Sequence, residues 1–203
     1  MLNNPLLPTA YLAPIGYYAF LLQKPDCIIE YYEHFIKQSI RNRCQIYNAN
    51  GKLQLTIPKQ RKGSSKTIVS KIKISYKEEW QKNHWNSIIS AYNSSPFFEY
   101  YQDKIEPLFK TKETYLINFN NKLQKIILDI LDINFEHNKT NKYNHSGSFK
   151  DLRQYKFKIK NMKAYNQVFL EKHGFICNLS IIDLLFNLGP ESRDYLNKVN
   201  IVT

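Results

Sequence analysis

The feature that most constrains the fold is an uncharged N-terminal stretch that prolines and a glycine break into short pieces. No charged side chain precedes Lys24, and the segment YLAPIGYYAFLL spans residues 11–22. A secretory signal begins with a basic region followed by an unbroken apolar run, and a membrane-spanning helix needs about 20 apolar residues. Pro14 and Gly16 interrupt the run too early for either. The stretch therefore predicts a strand, a turn and a helix in a cytoplasmic protein without a membrane span.

Length and composition predict a single domain over residues 1–203 with a substantial core. Of the 203 residues, 43% are hydrophobic, and a chain of this size buries most of its apolar surface in one domain. The cysteines Cys27, Cys44 and Cys177 are odd in number and far apart, which is typical of separate thiols in a reducing compartment. The sequence has no CxxC motif or histidine-rich cluster, so we predict no metal site.

The formal net charge of +12 raises the question of nucleic-acid binding. Nucleic-acid interfaces cluster their basic residues on one face, whereas the lysines here are scattered along the chain. The densest basic run, KQRKGSSK at residues 59–66, has a Gly-Ser-Ser centre that indicates a solvated loop. We therefore do not expect nucleic acid among the partners.

Hydrophobic patterning predicts an α/β fold. It indicates an N-terminal strand-helix-strand unit with a mixed sheet, followed by a helical half that packs on it. The predicted strands are LLPTAYL, CIIEYY, RCQIY, LQLTIP and TIVSKIKIS, and the first predicted helix is IGYYAFLL. The sequence NANG at residues 48–51 predicts a turn between the third and fourth strands.

Three further helices are predicted from capping signals and apolar spacing. Ser75 and Glu78 have the spacing of a capping box, and Ser95 with Pro96 has that of an N-cap followed by a first-turn proline. Leu116, Leu123 and Ile127 recur at helical spacing in the third helix. The polar residues 134–150 lack an apolar period and predict an exposed loop.

The richest polar segment is EYYEHFIKQSIRNR, residues 30–43. It contains Lys37, Gln38, Arg41, Asn42 and Arg43, which suit a phosphate or carboxylate because arginine offers two parallel N–H donors. The alternative is ion pairing with Glu30 and Glu33 on a solvated face. The residues alone leave both interpretations open.

Two other positions stand out. His84 lies between Trp80 and Trp85, and such a histidine is more often a packed core residue than a general base. Ser180 and Asp183 have capping-box spacing, with Gly189 as the helix stop, so we predict structural roles for them first. Asn178 has no such explanation.

Five stretches together resemble the WbqC-like protein family in order and spacing. They are PTAYLAPIGYYAFL, KQSIRNR, LTIP, HWNSIISAYNSSPFFEYY and GFICNLSIIDLLFNLGPES. Many members have QPxYxPxxGYF near the N-terminus, where this chain has Leu7 in place of the glutamine and Thr9 and Ala10 inserted. The PIGYY turn also looks like a degenerate analogue of the phosphate-binding turn of nucleotidylyltransferase-like proteins, which suggests that fold as an option.

The resemblance implies a transferase of surface-polysaccharide (O-antigen) biosynthesis that passes glycine, or another acyl or amino-acid group, to a sugar. We expect an anionic substrate, with ATP or a nucleotide-activated donor as cofactor, and His84 as the general base. The expected substrate-binding residues are Tyr11, Pro14, Gly16, Tyr17, Lys37, Gln38, Arg41, Asn42, Arg43, Asn178 and Ser180. The alternative is a non-catalytic binding or scaffold protein of envelope biogenesis, for which these residues would be dispersed or ion-paired.

Overall fold

The chain forms short helices and strands throughout, as a computed structural model shows for residues 4–60, 67–135, 139–144 and 150–202. The strands are β1 (Pro5–Pro8), β2 (Ile28–Glu30), β3 (Arg43–Asn48), β4 (Gly51–Thr56), β5 (Lys150–Asp151), β6 (Ile159–Lys160) and β7 (Asn200–Ile201). The α-helices are α1 (Ile15–Gln23), α2 (Trp80–Tyr92), α3 (Phe98–Lys110), α4 (Leu116–Ile130), α5 (Leu170–His173), α6 (Ile181–Leu188) and α7 (Ser192–Asn197). Two 3₁₀ segments, Val69–Lys71 and Gly189–Glu191, complete the order.

The N-terminal strand-helix-strand unit is present as predicted. Strand β1 pairs in parallel with β2, with Leu6 opposite Ile28, and α1 makes the crossover that a parallel pair requires. On its other side β1 pairs in parallel with β5. Leu6 and Leu7 are fully buried, as expected for a parallel strand covered on both faces.

The predicted hairpin is also present, but it does not join the parallel sheet. Strands β3 and β4 pair antiparallel, and Asn48 lies opposite Gly51, whose φ of +95° suits a tight hairpin turn. In the described residues, the strands form one three-stranded parallel sheet and two antiparallel pairs, β3-β4 and β6-β7. The α/β class is therefore confirmed, while the single mixed sheet is replaced by three small ones.

The predicted strand TIVSKIKIS is wrong. Val69–Lys71 is a 3₁₀ turn, and the flanking residues make only isolated bridges, such as Lys73 with Tyr115. Val69, Ile72 and Ile74 are all buried, so their apolar alternation is satisfied by packing against neighbouring elements and not by a ladder. An alternating apolar pattern predicts which side chains are buried, but it does not guarantee that the segment pairs as a strand. In this segment the apolar side chains are buried and no strand forms.

Neither of the first two predicted helix caps forms. Helix α2 begins at Trp80 without a side-chain cap, and the Ser95 hydroxyl donates to Tyr92 O at the end of that helix instead of opening the next. The predicted third helix is confirmed as α4, in which Leu116, Leu123 and Ile127 are buried. Helix α6 is buried from Ile181 to Asn187, which places it in the centre of the core.

Two predicted loops lie partly outside the described residues. The basic run contributes only Lys59 and Gln60 to the description. Within 134–150, the described residues Lys139, Asn141, Lys142 and Tyr143 are exposed. Thr140 is buried and its hydroxyl donates to the Glu30 carboxylate at 2.7 Å, so this part of the loop is fastened to the end of β2.

Candidate functional site

A pocket of about 270 Å³ lies where the N-termini of α1 and α6 meet the β3-β4 hairpin. Five of the residues predicted to bind substrate line it: Pro14, Gln38, Arg43, Asn178 and Ser180. The other lining residues are Ser39, Ile40, Cys44, Gln45, Gln54 and Lys156. We call this cavity the basic pocket.

Backbone hydrogen bonds hold the two helix N-termini together. Pro14 and Ser180 form an antiparallel bridge. Ile15 N–H donates to Leu179 O at 2.9 Å, and Ile181 N–H donates to Ala13 O at 2.9 Å. Because both helices begin beside the pocket, the positive ends of both helix dipoles lie there and favour an anion.

Asn178 fixes the start of α1 against the loop that carries Lys156. Its Oδ1 accepts from Gly16 N–H at 2.9 Å, and its Nδ2 donates to Phe157 O at 3.0 Å. A Cβ added at Gly16 would lie 2.2 Å from Phe157 O, closer than any real contact. Gly16 is thus required by the close approach of a distant loop, and Asn178 is a positioning residue.

Four of the six described non-glycine residues with a positive φ lie in or beside the basic pocket, and the other two, Asp132 and Asn161, lie elsewhere. Leu12, Gln38, Phe157 and Asn178 all have φ between +40° and +56°, a region that non-glycine residues seldom adopt. Gln38 and Asn178 line the pocket, while Leu12 O and Phe157 O accept hydrogen bonds from Ser180 and Asn178. Strain of this kind persists where the surrounding structure enforces it, and it is commoner at functional sites.

The charge of the basic pocket comes from Arg43 and Lys156. Arg43 takes part in none of the ion pairs found between described residues, and its buried Nε has no hydrogen-bond partner among them. Lys156 is exposed. Among the residues that the structure describes, no Asp or Glu lines this pocket. The arrangement can therefore bind a phosphate or carboxylate through an uncommitted guanidinium.

Arg41, which the sequence predicts to contact a ligand, does not line this pocket. It is 1% exposed, and its Nε and Nη2 donate to the two Glu33 oxygens at 2.8 and 2.6 Å. Nη2 also donates to Arg153 O at 3.0 Å. The ion-pairing interpretation is confirmed for this residue, although the pair is buried and not solvated. Burial raises the pKa of the Glu33 carboxyl, and the hydrogen bond from Arg41 opposes that shift.

His84, Tyr11 and Tyr17 are core residues that do not line the basic pocket. His84 is 7% exposed, and its Nδ1 lies 2.9 Å from the Tyr11 hydroxyl. Burial lowers the pKa of His84 to about 4, against a smaller opposite effect from a hydrogen bond with the Thr56 backbone. The Tyr17 hydroxyl donates to Pro8 O at 2.9 Å. The structure therefore favours the packed-histidine interpretation over a general base.

The remaining predicted residues are Asn42 and Lys37, which lie apart from the basic pocket, and Ser180, which lines it. Asn42 is buried, and its Nδ2 donates to Ile57 O at 2.8 Å. Lys37 is exposed but is not part of the pocket lining. Ser180 lines the pocket, yet its hydroxyl donates to Leu12 O at 2.8 Å instead of forming the predicted cap.

Sequence reasoning missed six lining residues: Ser39, Ile40, Cys44, Gln45, Gln54 and Lys156. Arg43 and Gln45 share a face of β3 because side chains two apart on a strand point the same way, so the hairpin prediction contained the signal for Gln45. Gln54 lies directly opposite Gln45 in the β3-β4 ladder. Lys156 has no comparable signal, because it belongs to an irregular segment that only tertiary contacts place.

The basic pocket is equipped to bind but carries no obvious proton acceptor. Its lining contains no His, Asp or Glu among the described residues, and burial raises the pKa of the Cys44 thiol. Within the same described ranges, no group of three or more His, Cys, Asp or Glu side chains is placed to hold a metal ion. No helix in the described part of the chain has the length and apolarity to cross a membrane.

The fold is a small α/β arrangement, and the basic pocket lies beside the paired N-termini of α1 and α6. The model of the WbqC-like protein family matches residues 9–154, and the chain belongs to that family. An "Uncharacterized protein Rv1507c" of Mycobacterium tuberculosis is 25% identical over an alignment of 225 positions, which covers 94% of this chain and 96% of that protein. No solved structure matches the chain, so the nucleotidylyltransferase-like fold remains a prediction.

Proposed function

We propose that this protein is a transferase of surface-polysaccharide (O-antigen) biosynthesis whose anionic donor binds in the basic pocket. The donor would be ATP or a nucleotide-activated group, and the group transferred would be glycine or another acyl or amino-acid unit, passed to a sugar. The observation that carries the proposal is the uncommitted Arg43 guanidinium, which lies with Lys156 in a cavity whose described lining contains no Asp or Glu. The three free cysteines of the protein support a cytoplasmic location, because disulfides are rare in that compartment.

The roles of the pocket residues follow from their contacts. Arg43 binds a phosphate or carboxylate through paired N–H donors, and Lys156 adds a mobile positive charge. The helix N-termini at Pro14 and Ser180 contribute fixed positive potential. In a phosphoryl or acyl transfer, these groups would stabilise negative charge that develops on the donor. Asn178 holds α1 and the Phe157 loop in register, so it acts through the other residues.

The test is a thermal-shift screen with inorganic pyrophosphate, AMP, UDP and ATP against the wild type and Arg43→Gln. We expect one or more anions to raise the Tm of the wild type, because a ligand that binds only the folded state stabilises it. Arg43→Gln should abolish that rise and leave the apo Tm nearly unchanged. An absence of any shift in the wild type, or an equal shift in the variant, would overturn the proposal.

A non-catalytic binding function is the second candidate, because the described pocket lining holds no His, Asp or Glu that could accept a proton. Incubation with ATP and radiolabelled glycine distinguishes the two functions. Release of AMP or pyrophosphate that depends on Arg43 would support the transferase. Anion binding without turnover of any donor in the presence of sugar acceptors would support the binding protein.

A further inference from the structure

A second and larger cavity, of about 770 Å³, lies on the C-terminal part of the chain. Its walls are segment 161–166, the end of α6 and helix α7. The lining residues are Pro96, Asn161, Met162, Lys163, Ala164, Tyr165, Asn166, Asn187, Leu188, Glu191, Asp194, Tyr195, Lys198 and Val199. We call it the tyrosine cavity.

The tyrosine cavity differs from the basic pocket in its charge. The described lining contains two basic residues, Lys163 and Lys198, and two acidic residues, Glu191 and Asp194. The formal net charge of that lining is therefore zero. A strongly anionic ligand gains no net attraction from such a lining. Both signs are nevertheless available for individual hydrogen bonds, as a neutral polar ligand would require.

Tyr195 supplies a partly exposed aromatic surface in the lining, and Tyr165, which is only 7% exposed, packs against it. Their ring centroids are 5.4 Å apart and nearly perpendicular. The Tyr165 hydroxyl donates to Asp183, whose carboxylate is fully buried and also accepts from Tyr92 at 3.0 Å and from Gln167 Nε2 at 2.8 Å. The Tyr195 hydroxyl donates to Lys163 O. Both rings are thus anchored by their hydroxyls.

Hydrogen-bonding groups surround that surface. Asn161 and Asn166 are exposed side chains of the lining, each with an amide donor and an acceptor. The backbone N–H groups of residues 162–166 donate to no backbone carbonyl within the described chain. An apolar ring face beside a dense set of neutral donors and acceptors matches a ligand with one apolar face and a rim of hydroxyls.

From this combination we infer that the tyrosine cavity binds a saccharide, with a sugar ring against Tyr195 and its hydroxyls bonded to the Asn161–Asn166 segment. The zero formal charge selects against a nucleotide, and the aromatic surface favours a ring over a flexible chain. The assignment of the cavity stands on its own lining. Only the role of that sugar as acceptor rests on the proposed function. Asn178 N–H contacts Met162 Sδ at 3.3 Å, so the walls of the two cavities touch.

Saturation-transfer difference NMR with N-acetyl-D-glucosamine and methyl α-D-galactopyranoside tests the inference on the full chain. We expect saturation of the ring protons of at least one probe in the wild type. Asn166→Ala, at an exposed side chain, and Tyr195→Ala should each weaken binding about tenfold, the loss expected when one well-placed contact is removed. Arg43→Gln should leave sugar binding unchanged.

Two results would overturn the saccharide site. One is an absence of saturation for both probes, and the other is undiminished saturation in both Asn166→Ala and Tyr195→Ala. Titration of the same samples with inorganic pyrophosphate separates the two proposals. Sugar binding without pyrophosphate binding would contradict only the proposal of an anionic donor in the basic pocket. Pyrophosphate binding without sugar binding would contradict only the saccharide site.

Discussion

Arg41 and Arg43 are separated by one residue and lie in opposite kinds of surroundings. Arg41 belongs to an ionic cluster with Glu30, Glu33, Asp151 and Arg153, all buried except Asp151, in which each guanidinium is paired with a carboxylate. Arg43 lines the basic pocket and has no ion pair among the described residues. The comparison shows that partners decide which of two neighbouring arginines supports the fold and which is available to a ligand.

The ionic cluster also explains why the candidate site is displaced. In open α/β sheets, ligands usually bind beyond the carboxyl ends of the parallel strands. Here Glu30 ends β2 and Asp151 ends β5. Segment 139–144 covers Glu30, since Thr140 and Asn144 N–H both donate to its carboxylate. The position beyond the carboxyl ends of the parallel strands is therefore occupied by the protein's own charged side chains. Arg43, which has no ion pair among the described residues, lies beside the helix N-termini instead.

The largest expected effect comes from breaking the ionic cluster. Arg41→Met leaves Glu33 buried without its partner, which should lower the free energy of unfolding by about 3–5 kcal/mol. Urea denaturation followed by circular dichroism measures the loss. The matched control, Arg43→Met, should stay within about 0.5 kcal/mol of the wild type. Equal destabilisation by the two variants would contradict the claim that Arg41 stabilises the fold and Arg43 does not.

His84 should behave as a member of the fold and contribute a pH-dependent stability. Its pKa is about 4 in the folded protein and 6.5 in the reference state, so the unfolded chain binds more protons between these values. Its contribution is therefore complete above pH 6.5 and is lost as the pH falls towards 4, by about 3 kcal/mol in all. The free energy of unfolding, measured from pH 7.5 to 4.5, should fall more steeply with decreasing pH for the wild type than for His84→Gln. Parallel curves would contradict the assignment.

Gly16→Ala should affect both stability and the pocket. The new Cβ collides with Phe157 O, and displacement of that backbone should cost about 1–3 kcal/mol. Because Asn178 ties the same loop to α1, the variant should also weaken pyrophosphate binding. A variant with wild-type stability and affinity would show that the close approach at Gly16 is not needed.

The smallest expected effect is that of Lys156→Gln. Lys156 is exposed, so its charge is screened and should contribute about 0.2–1 kcal/mol to anion binding, with no change in apo stability. Calorimetric titration at low and at moderate salt checks this, since the difference from the wild type should shrink as salt is added. A loss as large as that of Arg43→Gln would mean that Lys156 is the principal anion contact.

The sequence predicts the local elements well and the long-range contacts poorly. The pattern of β1, α1 and β2 and the NANG turn follow from short-range rules, and all four are present. The capping box at Ser180 and Asp183 fails because both side chains have tertiary partners. These are Leu12 O for the first and Tyr92, Tyr165 and Gln167 for the second. Capping signals describe what a side chain can do locally, and burial can override them.

The candidate site shows the same division. Pro14, Arg43, Asn178 and Ser180 attract attention in the sequence, but the contact of Gly16 with Asn178 spans 162 positions and leaves no periodic trace. Arg41 and Arg43 are indistinguishable in the sequence, because the pairing of Arg41 with Glu33 depends on tertiary folding. Lys156 lies outside every predicted element. The family match ends at residue 154, so it does not include Lys156, Asn178 or Ser180.

Isothermal titration of inorganic pyrophosphate into the wild type and Arg43→Gln tests the central claim most directly, because the two proteins should have the same apo stability. The wild type should bind, and the affinity should fall about tenfold or more in the variant, as expected when a charge-assisted pair of hydrogen bonds is removed. Equal affinities, or no binding to the wild type, would show that the guanidinium of Arg43 does not hold an anion.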